Sequence, residues 1–298
     1  DPANSTGLAH YLEHMMFKGT DVFGTKDWEK ERVFVDSIEQ MFEHYRTLTD
    51  PEERKAWYAK IDAVSKEASQ YAIANEYDRM IGLIGAKGTN AYTTDDRTVY
   101  MNDIPSNQLE NFFKIEANRF GKIVNRLFHT ELEAVYEEKN RSLDNDGWKV
   151  AEAMPRLLFK KHPYGLQTVI GTIEHLKNPS ITDINAYFDK YYRPNNVAIC
   201  LSGDFDPSEA VKLADQYFGY WEGNDLEAYN PPAEDPITSV QTDTVWGPNS
   251  ENVSVGFRMG GTSSEDYHLL QLVDYLLANS SAGLIDLNLK QKQAVLEA

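Results

Sequence analysis

Gly7-Leu8-Ala9-His10-Tyr11-Leu12-Glu13-His14-Met15-Met16-Phe17 holds a His-x-x-Glu-His pattern in a helix-compatible context. At helical pitch, residues four apart lie on one face, so His10 and His14 can grip one metal ion together. Glu13 sits beside that face, close enough to reach a water at the metal. Two imidazoles plus a carboxylate from elsewhere suit Zn²⁺ with one position left open for water. Zinc lowers the pKa of such a water to about 7, and a nearby Glu can take its proton. The bland alternative is an accidental pair of exposed helix histidines.

A third ligand has to come from another segment. His44 lies in a charged amphipathic stretch, and His129, His162, His175 and His268 are scattered through surface or loop contexts. The better candidate is Thr130-Glu131-Leu132-Glu133-Ala134-Val135-Tyr136-Glu137-Glu138-Lys139-Asn140. Thr130 with Glu133 three residues on reads as a capping box, which predicts a helix beginning here. Glu131 and Glu138 are two turns apart on one face, with Ala134 and Val135 between them. Acidic residues near a helix N-terminus also complement the helix dipole, so that face has a purely structural reading as well.

These residues are accompanied by others. Residues 7–20 (Gly-Leu-Ala-His-Tyr-Leu-Glu-His-Met-Met-Phe-Lys-Gly-Thr) and 133–140 (Glu-Ala-Val-Tyr-Glu-Glu-Lys-Asn) resemble the insulinase/pitrilysin family of zinc metallopeptidases, the inverzincins. Gly88-Thr89-Asn90-Ala91-Tyr92-Thr93, His162-Pro163-Tyr164-Gly165 with Gly171-Thr172, and Tyr192-Arg193-Pro194-Asn195-Asn196 leading into Ser202-Gly203-Asp204-Phe205 extend the match. The resemblance is continuous over residues 1 to about 225 and weaker beyond. It implies one Zn²⁺ per chain held by His10, His14 and Glu138, with Glu13 as general base. It also implies that Glu131 is a carboxylate behind the ligands that orients the site. Glu137 lies one helical step off the face shared by 131 and 138. The segment 88–93 corresponds in relatives to an edge strand beside the zinc. There Asn90, Ala91 and Tyr92 would receive an extended peptide as an added strand; the alternative is an ordinary turn at 88–90. Proline at Tyr92 is expected to remove a backbone donor from that edge.

The second histidine and the third ligand are farther apart in this sequence than in most relatives, and the excess lies between Thr25 and about Gly82. Residues 26–48 and 51–72 carry apolar side chains at three-and-four spacing: Trp28, Val33, Val35, Ile38, Met41, Phe42, Tyr45, then Trp57, Ile61, Val64, Ala68, Tyr71. Asp50-Pro51 between them is an N-cap followed by proline at the first helical position. An inserted helical hairpin accounts for the pattern, acting either as a lid or brace or as surface decoration.

The chain has 298 residues, enough for two domains and a sizeable core. Its 47 acidic against 29 basic residues give a formal charge of -18, which argues against nucleic acid or an anionic membrane surface as partner. No apolar run approaches membrane-spanning length. The lone cysteine, Cys200, falls in the apolar run 197–201 and reads as a small buried hydrophobe.

Along the chain, strands are expected at 89–101, 195–202, 238–245 and 252–258. Helices are expected at 106–122, 130–140, 148–159, 183–191 (capped by Thr182), 207–218 (capped by Asp206) and 266–278. Glu222 to Pro236, with Gly223, Asn224, Pro231, Pro232 and Pro236, is linker-like. The expected class is therefore α+β: tandem α/β sandwich domains, each a mostly antiparallel sheet covered by helices. A zinc-binding peptidase domain would span 1–225, with an insertion at about 26–82. A linker would follow at 226–236, and 237–298 would begin a second, incomplete homologous domain. The run 284–298 has no helix stop signal, and the zinc motif lies only a few residues from Asp1, with neither initiator Met nor signal region. The sequence reads as a piece of a longer polypeptide, with periplasmic or otherwise exported placement implied by the bacterial type of the resemblance.

The expected function is zinc-dependent endopeptidase hydrolysis of oligopeptides or unfolded polypeptides, weak or absent in the piece alone. Its partners would be a peptide substrate and a C-terminal half or partner subunit. The rival reading is a non-catalytic peptide-binding or structural subunit of the same fold, a class that typically loses part of His-x-x-Glu-His.

Overall fold

The computed structural model describes residues 1–297, which divide into two compact units at 249/250. The first unit opens with α1 (Leu8–Met15) and continues into a long antiparallel pair, α2 (Trp28–Thr47) and α3 (Pro51–Ser69). Asp27 caps α2 by accepting from the Lys30 N–H, and Asp50 caps α3 by accepting from Glu52 and Glu53, with Pro51 at the first position. The feet of this hairpin meet: the Lys26 N–H donates to the Tyr71 carbonyl at 2.7 Å and the Ile73 N–H to that of Gly24 at 2.8 Å. The insertion therefore leaves and rejoins the domain at one point, and its length does not separate the candidate ligands in space.

Next come α4 (Glu76–Leu83), β1 (Lys87–Thr93), β2 (Thr98–Asp103), α5 (Leu109–Gly121), α6 (Phe128–Leu143) and α7 (Asp146–Leu158). The short helices α8 (Pro163–Leu166) and α9 (Ile173–Leu176), then α10 (Ile181–Tyr191) and α11 (Pro207–Phe218), complete the unit's regular elements. Strands β1 and β2 form an antiparallel hairpin with Asn90 opposite Met101, Ala91 opposite Tyr100, Tyr92 opposite Val99 and Thr93 opposite Thr98. The main core gathers Leu12 and Met15 of α1, Phe42 of α2, Ile61 of α3, Val135 of α6 and Ile184 of α10, all fully buried. Apolar side chains of this size each contribute about 1.5–3 kcal/mol when taken out of water. The hairpin thus supplies core residues, and its second helix is no surface ornament. Polar contacts fix its outer face to α10: Ser180 donates to Glu43 at 2.8 Å and Thr182 to Glu39 at 2.9 Å.

Several expectations change here. Helix α6 starts at Phe128, after Leu127 in a left-handed conformation, and Thr130 caps nothing. Phe128 is buried against Phe42 and Tyr11, and the Tyr11 hydroxyl donates to its carbonyl at 2.7 Å. That tertiary burial starts the helix two residues before the local capping signal. Ser180, not Thr182, caps α10. The segments 195–202, 238–245 and 252–258 carry no strand, and Cys200 is exposed. A strand exists only where a neighbour accepts its ladder bonds, and none of the described residues pairs with these segments.

In the second unit, α12 (Asp266–Ala278) is the main element. Helical turns cover 284–290, shorter than the expected run to Ala298, whose last residue lies outside the described residues.

Candidate metal centre

Helix α1 is preceded by Gly7, which adopts φ +87. A Cβ at Gly7 would lie 2.6 Å from the Ile170 carbonyl oxygen, and one at Gly171 (φ +82) would lie 2.4 Å from that of Thr6. The two backbones are packed against each other, and only glycine fits at either position. This seam fixes where α1 starts and so where His10 and His14 emerge one turn later.

Both histidines turn toward Glu138 on α6. His10 Nε2 lies 3.7 Å and His14 Nε2 3.6 Å from Glu138 Oε2. The three ligand atoms all lie within 4.8 Å of one another. Zn–N and Zn–O bonds of about 2.0–2.2 Å in a tetrahedron put ligand atoms roughly 3.4 Å apart, so this donor set fits zinc with minor contraction. Burial, followed by the neighbouring His14, holds His10 down to about 4, which leaves its imidazole neutral and able to donate a lone pair at neutral pH. His10 Nδ1 is buried without a hydrogen-bond partner among the described residues.

Glu131, one of the two expected carboxylates on α6, lies behind His14. Its Oε1 is 2.8 Å from His14 Nδ1 and its Oε2 is 2.5 Å from Lys18 Nζ. The carboxylate partner assigns the proton to Nδ1 and leaves the Nε2 lone pair facing Glu138. Burial pushes the Glu131 carboxyl up, but the bonds from His14 and Lys18 outweigh it and hold the group below the usual carboxylate range.

Glu13, on the same helix, accepts from the Thr93 hydroxyl at 2.5 Å. Its carboxyl is raised, chiefly by burial, against the opposing Thr93 bond and His14; Glu138 adds a smaller upward push. A carboxylate whose proton affinity is raised in this way is the stronger proton acceptor.

Strand β1 runs past Glu13. The Thr94 N–H donates to the Arg97 carbonyl at 2.8 Å, closing the turn. Bonded and non-bonded pairs alternate in an antiparallel ladder, so Tyr92–Val99 and Asn90–Met101 are the bonded pairs. Ala91 and Thr93 therefore direct their N–H and C=O toward the edge of β1 that no described strand occupies. This corrects the expectation for Tyr92: its backbone donor belongs to the hairpin, and proline there would break the sheet instead of the free edge. Asn90 and Tyr92 are on the more exposed side of the strand, and Ala91 and Thr93 on the side nearer α1.

His10, Glu13, His14, Asn90, Ala91, Tyr92, Glu131 and Glu138 all line one open groove of about 1320 Å³, whose far wall is made by α7 and residues 164–173. No residue of the α2–α3 hairpin lines it, so the hairpin braces the domain and does not cover the groove. Sequence reasoning assigned no role to Lys18 or Thr93. Their spacing carries the signal: Lys18 is four residues past His14, and Thr93 is two past Ala91 on the same face of β1.

The model of the insulinase family, peptidase family M16, matches residues 1–65, and the model of the peptidase M16 inactive domain matches residues 180–297. The chain belongs to the insulinase/pitrilysin family of metallopeptidases. It is 25% identical over 221 residues to the probable zinc protease PqqL of Escherichia coli, covering 70% of this chain and 18% of that protein. It is 24% identical over 233 residues to the zinc protease PqqE of Helicobacter pylori, covering 74% and 51% respectively. Likeness to the probable mitochondrial-processing peptidase subunit beta of Schizosaccharomyces pombe is 24% over 224 residues, covering 74% and 38%. Among solved structures, a Helicobacter pylori protease superposes with a TM-score of 0.66 at 19% identity, over 97% of this chain and 60% of that one. The periplasmic protease PqqL of Escherichia coli superposes with a TM-score of 0.53 at 19% identity, over 78% and 22%. The fold is therefore the α+β insulinase-like fold. The chain spans about a fifth to a half of the length of the curated relatives named here. No helix among the described residues is long and apolar enough to cross a membrane.

Proposed function

We propose that this chain carries the metal-binding half of a zinc metalloendopeptidase acting on oligopeptides or unfolded polypeptides. The observation that carries the reading is the convergence of His10 Nε2, His14 Nε2 and Glu138 Oε2 on one point beside Glu13. His10, His14 and Glu138 would hold one zinc, with Glu131 orienting His14. When bound, the zinc supplies a Lewis acid that activates water and stabilises negative charge on the scissile carbonyl oxygen. Glu13 takes the proton of the attacking water and later returns it to the leaving amine. Thr93 holds Glu13 at the groove wall. An extended peptide adds to the free edge of β1, bonding to Ala91 and Thr93 through its backbone, with the Asn90 amide and the Tyr92 ring flanking it. Recognition through main-chain atoms tolerates many sequences.

In this reading, residues 1–225 are the peptidase domain, 226–236 a linker, and 237–298 the beginning of a second homologous domain. Relatives are longer, so turnover requires a C-terminal half or a partner subunit, and residues 1–298 alone turn over weakly or not at all. Likeness to a protease described as periplasmic supports an exported location. The intact set of His10, Glu13, His14 and Glu138 speaks against a non-catalytic subunit.

Elemental analysis after zinc loading and dialysis tests the reading. One zinc per chain is expected for the wild type and a large loss for His14→Ala. A wild type that retains none, or a variant that retains as much as the wild type, overturns it.

A further inference from the structure

We propose that Lys18 is a positioning residue of the metal centre, holding the Glu131 carboxylate so that it fixes the His14 imidazole. The inference rests on the zinc reading above and adds a residue outside the ligand and base set. Lys18 Nζ, Glu131 and His14 Nδ1 form a continuous chain, with contacts of 2.5 Å and 2.8 Å to the two oxygens of one carboxylate. The Lys18 and Glu131 side chains are 20% and 12% exposed, so solvent screens this pair poorly. A carboxylate with a single partner can rotate about its last bond. A second partner on the other oxygen pins its plane, and with it the ring that it orients.

Lys18 is itself held at both ends. Arg126 Nη1 donates to its carbonyl at 2.9 Å. The following residue, Gly19, has φ +90, and a Cβ there would lie 2.5 Å from the Phe23 carbonyl oxygen, so the turn that aims Lys18 is tight and specific. Charge balance points the same way. Glu13, Glu131 and Glu138 crowd one end of the groove, and one divalent cation together with the Lys18 ammonium matches these three carboxylates. The other lysine lining this groove, Lys139, is already paired with Glu152 at 2.7 Å.

The test measures zinc affinity of the 298-residue chain by competition with a chromophoric chelator, and the visible spectrum of the Co²⁺-loaded protein. The variants are Lys18→Met, Lys18→Arg, Glu131→Gln and Lys18→Met with Glu131→Gln, with His14→Ala as reference. Lys18→Met is expected to weaken zinc binding by about 10- to 100-fold and to shift the Co²⁺ bands. Lys18→Arg is expected to restore both, because it keeps the charge. In the Glu131→Gln background, Lys18→Met should cost less than about threefold more, since its effect passes through that carboxylate. If Lys18→Met does not fold, Lys18→Gln replaces it with the same expectations. Affinity within about threefold of wild type for a folded Lys18→Met or Lys18→Gln overturns the proposal. So does a full penalty persisting in the Glu131→Gln background. A wild type that binds no zinc, or His14→Ala binding as tightly as wild type, overturns the metal reading and the role of Lys18 with it.

Discussion

Replacing Glu31 by alanine is expected to destabilise the first unit more than most single changes, although Glu31 lies in the inserted hairpin and does not line the groove. Glu31 and Arg126 are each 1% exposed. All five N–H donors of Arg126 are used: Nε goes to Glu31 Oε1 at 2.6 Å and Nη2 to Glu31 Oε2 at 2.8 Å. The other three reach the carbonyls of Lys18, Thr20 and Phe23, at 2.9, 2.9 and 3.4 Å. Removing the carboxylate leaves a guanidinium buried without an anion, which costs about 3–5 kcal/mol. In a unit of this size, that corresponds to roughly 6–20 °C in melting temperature. Glu29 on the same helix pairs with Arg32, but the partners are 73% and 54% exposed. Glu29→Ala should therefore cost less than about 0.5 kcal/mol and serves as the control. Urea titration and calorimetry provide the assay. Glu31→Ala combined with Arg126→Met should cost less than the sum of the single changes, because each single change strands a charge that the pair does not. A Glu31→Ala variant within about 1 kcal/mol of wild type, or strict additivity of the pair, would refute the reasoning.

Glu13→Gln should leave zinc stoichiometry unchanged and lower kcat for peptide hydrolysis by about a hundredfold or more, assayed in the full-length protein; near-normal turnover would remove Glu13 as the base. In a Glu13→Gln background that prevents cleavage, Ala91→Pro should weaken binding of an extended peptide by roughly 3- to 10-fold through loss of one edge hydrogen bond. Tyr92→Pro should instead lower thermal stability by removing a ladder bond within the hairpin, and equal effects of the two prolines on stability would contradict the assigned register. Ile61→Ala, at a fully buried position of α3, should cost about 2–5 kcal/mol while zinc content stays at wild type, which fluorescence-monitored unfolding and metal analysis check together.

The parts of this molecule legible in its sequence are those encoded by spacing along one chain segment. A spacing of four from His10 to His14, and of seven from Glu131 to Glu138, places side chains on shared helical faces wherever the helices go. The hairpin announced itself through its apolar period and the Asp50-Pro51 cap, both local. What escaped depends on partners remote in sequence. Thr130 and Glu133 form a sound capping signal that the burial of Phe128 overrides. The run 197–201 is apolar enough for a strand, but it has no described neighbour to pair with, and Cys200 is exposed accordingly. The alternation of bonded and free residues on β1 depends on where the turn closes, and Thr94–Arg97 sets that parity. The spacing of Lys18 from His14 is local, but the partners of Lys18 and of Arg126 could not be read along the chain, because each is a carboxylate more than ninety residues away.

Gly7 and Gly171 make one end of the groove insensitive to side-chain change. Where other clefts are trimmed or widened by exchanging residues along a wall, here main chain abuts main chain, and the smallest addition at either glycine pushes the base of α1 away. The distance between α1 and the 165–173 wall is thus a fixed gauge for whatever enters the groove. Diversification of what the groove accepts falls to exposed side chains elsewhere along it, such as Trp148 on α7 and Arg141 on α6, which can be exchanged without touching the Gly7–Gly171 seam.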